Sequence, residues 1–179
     1  SSDLNIVSKA VSTKTTMPIL ECVLIDVYSD SIKLTANDLE LGIETNLEGT
    51  VVEMGRIAIE AKLFIDIVRK LPDSEITIES TGDFKTIIRC EKAKFVLPSK
   101  SGEDFTELPE IEKEKSITIS QFTLKEVIRQ TIFSISDNEN NKLMTGELFE
   151  VKDGKLTVVS LDGHRISMRK INLNENSTT

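Results

Sequence analysis

Residues 19–43, ILECVLIDVYSDSIKLTANDLELGI, align without a gap with residues 143–167, LMTGELFEVKDGKLTVVSLDGHRIS. Identities are few, and the match of Asp38 with Asp162 fixes the offset at 124. The apolar pattern agrees better, because seven apolar positions of the first stretch are apolar in the second: 19, 20, 24, 25, 27, 32 and 34. Strand periodicity alone produces part of this agreement. The remainder favours a duplication, in which one domain is followed by the beginning of a second copy.

The repeat predicts where the domains lie. A strand at 116–119 begins copy two, and its counterpart would precede residue 1. The last residue, 179, maps to position 55 of copy one. We therefore expect residues 1–115 to form a first domain that lacks its first strand, and residues 116–179 to form the first half of a second domain.

Two helices and many short strands predict an α+β fold, with helices covering one face of a sheet. Residues 61–71 carry their apolar side chains on one stripe, and Pro72 ends this helix. Ser120 is the expected N-cap of a second helix that runs to about Phe133. Residues 99–115, SKSGEDFTELPEIEKEK, are charged and contain Gly and Pro, which is typical of a linker.

The composition is that of a globular protein, with 39% hydrophobic and 29% charged residues. Cys22 and Cys90 lie in apolar strand-like runs, so we expect buried thiols in a reducing cytoplasm. The formal net charge of −8 argues against nucleic acid as a partner. Net charge, however, is summed over the whole surface, so an acidic protein can still have a basic stripe on one face that binds nucleic acid.

Such a stripe is visible on the polar faces of both predicted helices. The first carries Lys62, Asp66, Arg69 and Lys70, and the second carries Lys125 and Arg129. A solvated helix face is the more usual explanation of such residues. In an acidic chain, however, a positive balance opposite the core is also what weak contact with nucleic acid requires.

The stretch Asp162-Gly163-His164-Arg165 separates two alternating apolar runs, which predicts a type I′ hairpin turn. His164 is the only histidine, and beside Asp162 it could serve as a general base in a small hydrolase. The sequence offers it no Gly-x-Ser-x-Gly nucleophile and no second histidine for a metal. Gly-rich phosphate loops are also missing, so neither a metal nor a cofactor is predicted.

Four stretches together resemble the bacterial DNA polymerase III β subunit family, the sliding clamps: MPILECVLIDV (17–27), LTANDLELGI (34–43), KFVLP (94–98) and VVSLDGHRISM (158–168). The resemblance implies the DNA clamp fold and a ring of two chains with three similar domains each. Helices line a hole that holds duplex DNA, and sheets form the outside. It implies a processivity factor without catalytic activity, which tethers the polymerase.

The same resemblance assigns roles to residues. A pocket for short peptide motifs of polymerase and clamp-loader subunits would use Met144, Leu161, Gly163, His164, Arg165 and Ile166. Lys14 and Lys142 would face DNA together with the basic helix residues. Phe95 and Leu97 would lie on the edge strand that joins the partner subunit of a homodimer. Glu147 departs from the family, because an apolar residue is expected at its position.

Overall fold

Two compact units divide the chain, Ser1–Pro109 (unit 1) and Glu110–Thr179 (unit 2). The computed structural model describes residues 2–13, 15–111, 116–138 and 140–173. The elements of unit 1 are α1 (Ser2–Val7), β1 (Cys22–Val27), β2 (Ile32–Asn37), β3 (Gly42–Leu47), β4 (Gly55–Glu60), α2 (Ala61–Val68), β5 (Thr77–Thr81), β6 (Lys85–Cys90) and β7 (Ala93–Ser101). Those of unit 2 are α3 (Gln121–Thr131), β8 (Leu148–Lys152), β9 (Lys155–Leu161) and β10 (Ile166–Asn172). The predicted α+β class is confirmed.

In unit 1, antiparallel strands in the order β3-β2-β1-β4-β7-β6-β5 share one core with both helices. Side chains alternate along β1, so Val23 and Ile25 join the core beneath the helices. Leu24 joins a second cluster on the opposite face of the sheet. The sheet of unit 1 is therefore covered on both faces, by the helices on one face and by the segment that contains Phe105 on the other.

Helix α2 ends earlier than its apolar stripe predicts. Phe64 and Ile67 are buried as expected, but Leu63 is 36% exposed. After Val68 the chain tightens, and the Lys70 N–H donates to the Ile67 carbonyl at 2.9 Å. Such three-residue bonds are usual where a helix ends, here just before a proline.

Unit 2 is smaller, with a three-stranded sheet in the order β10-β9-β8. The Ser120 hydroxyl caps α3 by accepting the Thr123 N–H at 3.0 Å, as predicted. Val127 of the helix packs on Leu156 and Val158 of β9. In the described ranges, no helix is long and apolar enough to cross a membrane.

Glu147, the departure from the family pattern, joins a buried polar contact in unit 2. The fully buried hydroxyl of Thr131 donates to the Glu147 carboxylate at 2.5 Å. Ser160 of β9 in turn donates to the Thr131 carbonyl. The acidic side chain thus accepts a hydrogen bond from the end of α3, and the bond from Ser160 ties the same end of the helix to the sheet.

The predicted repeat is confirmed by the strand register. The Ser12 N–H donates to the Leu20 carbonyl, and 124 residues later the Ser136 N–H donates to the Met144 carbonyl. Strand partners repeat with the same offset: Leu24↔Thr35 and Leu148↔Val159, Val27↔Ile32 and Val151↔Leu156, Asn37↔Gly42 and Leu161↔Ile166. The two meanders are therefore one structure built twice.

The predicted linker, 99–115, begins too early. Residues 99–101 belong to β7 and pair with β4. Residues 102–108, which we call the strap, run back across the second face of the unit 1 sheet. Composition misled here because a charged, Gly-containing segment can still be fixed by contacts with residues far away in the chain.

Close contacts hold the strap at several points. Phe105 is 4% exposed and packs on Cys22, Leu24 and Ala58. A Cβ at Gly42 would collide with Leu108. Three more contacts involve polar groups: the Arg56 guanidinium lies 2.9 Å from Glu107 and 3.8 Å from Glu103, and the Asn37 amide donates to the Thr106 carbonyl.

We expect Phe105→Ala to lower the free energy of unfolding of unit 1 by about 3–5 kcal/mol, because it leaves a cavity above Leu24. Chemical denaturation followed by fluorescence of Tyr28, the only tyrosine and a residue of unit 1, measures this change. Phe84→Ala is the matched control, since Phe84 is 59% exposed and its loss should cost less than about 1 kcal/mol. Equal costs would show that the strap does not stabilise the unit.

Candidate functional site

The turn between β9 and β10 brings together five of the six residues of the predicted peptide pocket. Leu161 and Ile166 are cross-strand partners that flank it. The Asp162 N–H closes the turn by donating to the Arg165 carbonyl at 3.3 Å. Met144, the sixth residue, lies in a separate 3₁₀ turn, Lys142–Thr145.

The turn is not the predicted type I′. Among residues 162–165 only Gly163 has a positive φ, of 88°. A type I′ turn needs positive φ at both central residues, so this turn belongs to another type. The type I′ pattern occurs instead at Asp153-Gly154, between β8 and β9, where both residues have positive φ.

The carboxylate of Asp162 organises the turn. Its Oδ1 accepts the backbone N–H groups of His164 at 2.9 Å and Arg165 at 3.0 Å, and its Oδ2 accepts Nε–H of Arg165 at 2.8 Å. The hydrogen bond from the His164 backbone, followed by those from Arg165, holds the pKa of Asp162 below its usual value. The charged carboxylate therefore favours this conformation.

Unit 1 contains the same turn at the equivalent place. Asp38 Oδ1 accepts the backbone N–H groups of Glu40 at 2.9 Å and Leu41 at 2.7 Å. Leu39, the counterpart of Gly163, has a φ of 75°. Because leucine occupies this conformation in one copy, the backbone of the turn does not by itself require glycine.

The surroundings of the two turns differ. In unit 1, Asn37 is 5% exposed and Leu108 of the strap packs on Gly42. Their counterparts in unit 2, Leu161 and Ile166, are 37% and 64% exposed. A Cβ on Gly163 would meet no atom within 4 Å in the described structure. In unit 1 the strap covers Asn37, although Leu39 and Leu41 of the turn stay exposed, and the described part of unit 2 leaves Leu161 and Ile166 accessible.

The exposed surface continues onto the adjoining sheet. Leu148 is 62% exposed, whereas its counterpart Leu24 is 3% exposed beneath Phe105. Met168, opposite Val159, is 56% exposed on the same face as Leu148. Apolar side chains at these positions provide a surface for an apolar ligand.

The geometry gives the hydrolase alternative no support. Both oxygens of Asp162 are bonded within the turn, to groups other than the His164 imidazole. His164 itself is exposed rather than set in a cleft. A general base needs a partner that orients it and a site from which water is partly excluded.

The basic residues of the helices that were predicted to face DNA are exposed, and one of them, Arg129, is paired with an acidic residue. Lys62, Arg69 and Lys70 are exposed, and Arg69 donates to the Asn5 side chain at 2.7 Å. On α3, Arg129 makes two hydrogen bonds to Glu126, at 2.8 and 3.0 Å. Since Lys125 is the other charged residue of α3, that helix carries one net positive charge.

Four predicted residues remain, two expected to face DNA and two on the expected dimer edge. Lys142 is exposed at the start of its 3₁₀ turn, and Lys14 lies outside the described residues. In the described structure, residues 93–98 of β7 pair with β6, and residues 99–101 of β7 pair with β4. The backbone edge of 93–98 that faces away from β6 therefore has no strand beside it. Phe95 is half-buried there, whereas the Leu97 side chain is 5% exposed and belongs to the core.

Comparisons with known proteins identify the family. Residues 1–109 match the family described as DNA polymerase III beta subunit, N-terminal domain, and residues 118–179 match its central domain. A beta sliding clamp of Halalkalibacterium halodurans is 38% identical over 182 residues, which cover 97% of this chain and 48% of the relative. The chain thus spans about half the length of the curated relatives it matches.

Solved structures agree with this assignment. A crystal structure described as a DNA polymerase III beta subunit of Eubacterium rectale has a TM-score of 0.93 and 63% identity, covering 99% of this chain and 48% of that one. A sliding clamp of Bartonella birtlesii, solved bound to griselimycin, has a TM-score of 0.87 and 32% identity, covering 97% and 48%. With both units matched by its profiles, the chain belongs to the DNA polymerase III beta subunit family.

Proposed function

We propose that the chain is part of a sliding clamp, a processivity factor without catalytic activity that encircles duplex DNA and tethers the replicative polymerase. The observation that carries this proposal is the duplicated unit with its strands in the same register, matched over both units by the clamp family. Residues 1–115 would supply the first clamp domain and residues 116–179 the first half of the second. The protein acts in the cytoplasm, with the replication machinery.

DNA is held by enclosure and by weak contacts with its phosphates. The exposed basic side chains of the helices would contact the duplex: Lys62, Arg69, Lys70, Lys125 and Arg129. The family resemblance adds Lys14 and Lys142 to the residues that contact DNA. Such contacts carry no sequence information, which suits a protein that must slide. The ion pair of Arg129 with Glu126 moderates the attraction on α3.

The ring is closed by a second copy of the protein. The unpaired backbone edge of residues 93–98 can accept a strand from the partner subunit, because such an edge presents unused N–H and C=O groups. Phe95 would contact that strand with its side chain. Leu97 would support the edge from the core, since its side chain points inward.

Polymerase and clamp-loader subunits bind through short peptide motifs at the turn of unit 2. Leu161, Ile166 and Met144 supply apolar surface, and His164 and Arg165 supply polar walls. Gly163 leaves room for the peptide, which explains a glycine where unit 1 has a leucine. A flexible methionine suits a site that accepts several partners.

The 179-residue chain should bind duplex DNA weakly and without sequence preference, and modest salt should release it. Each phosphate contact contributes roughly 0.9 to the slope of log affinity against log salt. Replacing both Lys62 and Lys70 by alanine should therefore lower that slope by about 2 in the complete clamp. Fluorescence anisotropy of labelled duplex DNA at several salt concentrations measures it.

The matched control is Lys152→Ala with Lys155→Ala, because both lysines are exposed at a hairpin rather than on a helix. These changes should leave the slope as it is. Tight, sequence-dependent binding at physiological salt would contradict the proposal.

Gly163→Val should lower the affinity of the complete clamp for a polymerase tail peptide while the ring still encloses DNA. Valine strains a backbone that has positive φ, by about 1–2 kcal/mol, and it occupies the space above the turn. Isothermal titration with the peptide measures the affinity, and retention on circular DNA reports ring closure.

Gly154→Val is the matched control, since Gly154 also has positive φ and open surroundings but lies in the other hairpin of unit 2. It should cost similar stability and leave peptide binding intact. If the two variants bound the peptide equally well, the pocket would lie elsewhere and residues 162–165 would be an ordinary turn.

A further inference from the structure

The two oxygens of Asp162 have separate partners. Oδ1 accepts the two backbone N–H groups that shape the turn, and among the described residues Oδ2 accepts from the Arg165 side chain alone, at 2.8 Å. The Asp162 side chain is 17% exposed, whereas that of Arg165 is 57% exposed. A sheltered carboxylate thus holds the inner nitrogen of a guanidinium whose outer part reaches solvent.

Unit 1 shows which of these bonds the turn needs. Asp38 makes the same two backbone bonds through Oδ1, and the turn has the same closing hydrogen bond, from the Asp38 N–H to the Leu41 carbonyl. Leu41 stands in place of Arg165 and has no side-chain donor. The bond to Nε of Arg165 is therefore an addition in unit 2 that the turn itself does not require.

We propose that Asp162 is a positioning residue for the peptide site, acting through Arg165. This inference rests on the proposed function. By holding Nε–H, Asp162 orients the plane of the guanidinium, and none of the described contacts uses the two terminal amino groups. Those groups can donate to an acceptor on the partner peptide, either a main-chain carbonyl or a carboxylate. An arginine fixed before binding loses less side-chain freedom when the peptide arrives, which improves affinity.

Asp162→Asn separates the two roles of the side chain. The asparagine oxygen can still accept the backbone N–H groups of the turn, but its NH₂ group cannot accept from Arg165. In the complete clamp, this variant should bind a polymerase tail peptide up to about tenfold more weakly, because an Arg165 that is no longer held loses more side-chain freedom on binding. Its melting temperature should change little.

Asp38→Asn is the matched control, because it makes the same chemical change in the turn that lacks the arginine. It should alter peptide affinity by less than about twofold, within the usual effect of a distant substitution. The Nε–H signal of Arg165 in ¹⁵N-arginine spectra should shift in Asp162→Asn and remain in place in Asp38→Asn.

A double-mutant cycle with Arg165→Ala tests whether Asp162 acts through Arg165. Once Arg165 is absent, adding Asp162→Asn should lower the affinity for the peptide by less than about twofold, because coupled residues do not act additively. A full further loss in that background would overturn the proposal and make Asp162 a purely structural residue. Unchanged affinity in Asp162→Asn, with losses in Arg165→Ala and Gly163→Val, would overturn it while leaving the pocket in place. Unchanged affinity in all three would refute the placement of the pocket itself.

Discussion

The pairing register of the three-stranded meander is the constraint on which the rest of the structure depends. Successive side chains of a strand point to opposite faces, so a slip of one residue would exchange the buried and exposed sets. In both copies the same register sends one set toward a helix: Val23 and Ile25 beneath α1 and α2, and Leu156 and Val158 beneath α3. It sends the other set to the opposite face. That set includes Leu24 in unit 1 and its counterpart Leu148 in unit 2.

In unit 1 the strap covers part of the second face of the sheet. Phe105 buries Leu24, and Leu108 lies against Gly42 beside the Asp38 turn, whose Leu39 and Leu41 stay exposed. The equivalent surface beside the Asp162 turn presents Leu161 and Ile166 to solvent in the described structure. The two copies of the turn thus share their backbone hydrogen bonds and differ in their side chains, with Gly163 and Arg165 where unit 1 has Leu39 and Leu41. That difference needs no new fold.

Much of this architecture follows from the sequence because its signals are local. Alternation of apolar residues predicts the strands, and the offset between Asp38 and Asp162 predicts the repeated turn. The strap was missed because its determinants are distant contacts: nothing near Leu108 indicates that Gly42 leaves room for it. The type of turn at Asp162 was wrong for a related reason. An Asp-Gly pair looks the same in the sequence in both hairpins. At 153–154 it forms the whole two-residue loop, whereas at 162–163 it forms the first half of a four-residue loop.

The candidate site shows the same limit. The sequence places the apolar and basic residues on their elements, but the bond between Asp162 and Nε of Arg165 depends on side-chain geometry that spacing alone does not give. Likewise, Glu126 beside Arg129 looks like an ordinary helix residue until its two hydrogen bonds are seen. The pocket, the DNA-facing lysines and the ring-closing edge stay predictions that rest on the family and on the exposure of their residues.

The most direct test of the central claim is a hydrogen-exchange footprint of a polymerase tail peptide on the complete clamp. The account predicts slower exchange at residues 161–166 when the peptide is bound, with no change at 37–42, the same turn in unit 1. The internal repeat provides the control within one molecule, because both turns have the same backbone hydrogen bonds. Protection at 37–42, or at neither turn despite saturated binding, would contradict the claim that the turn of unit 2, and not its counterpart in unit 1, binds the peptide.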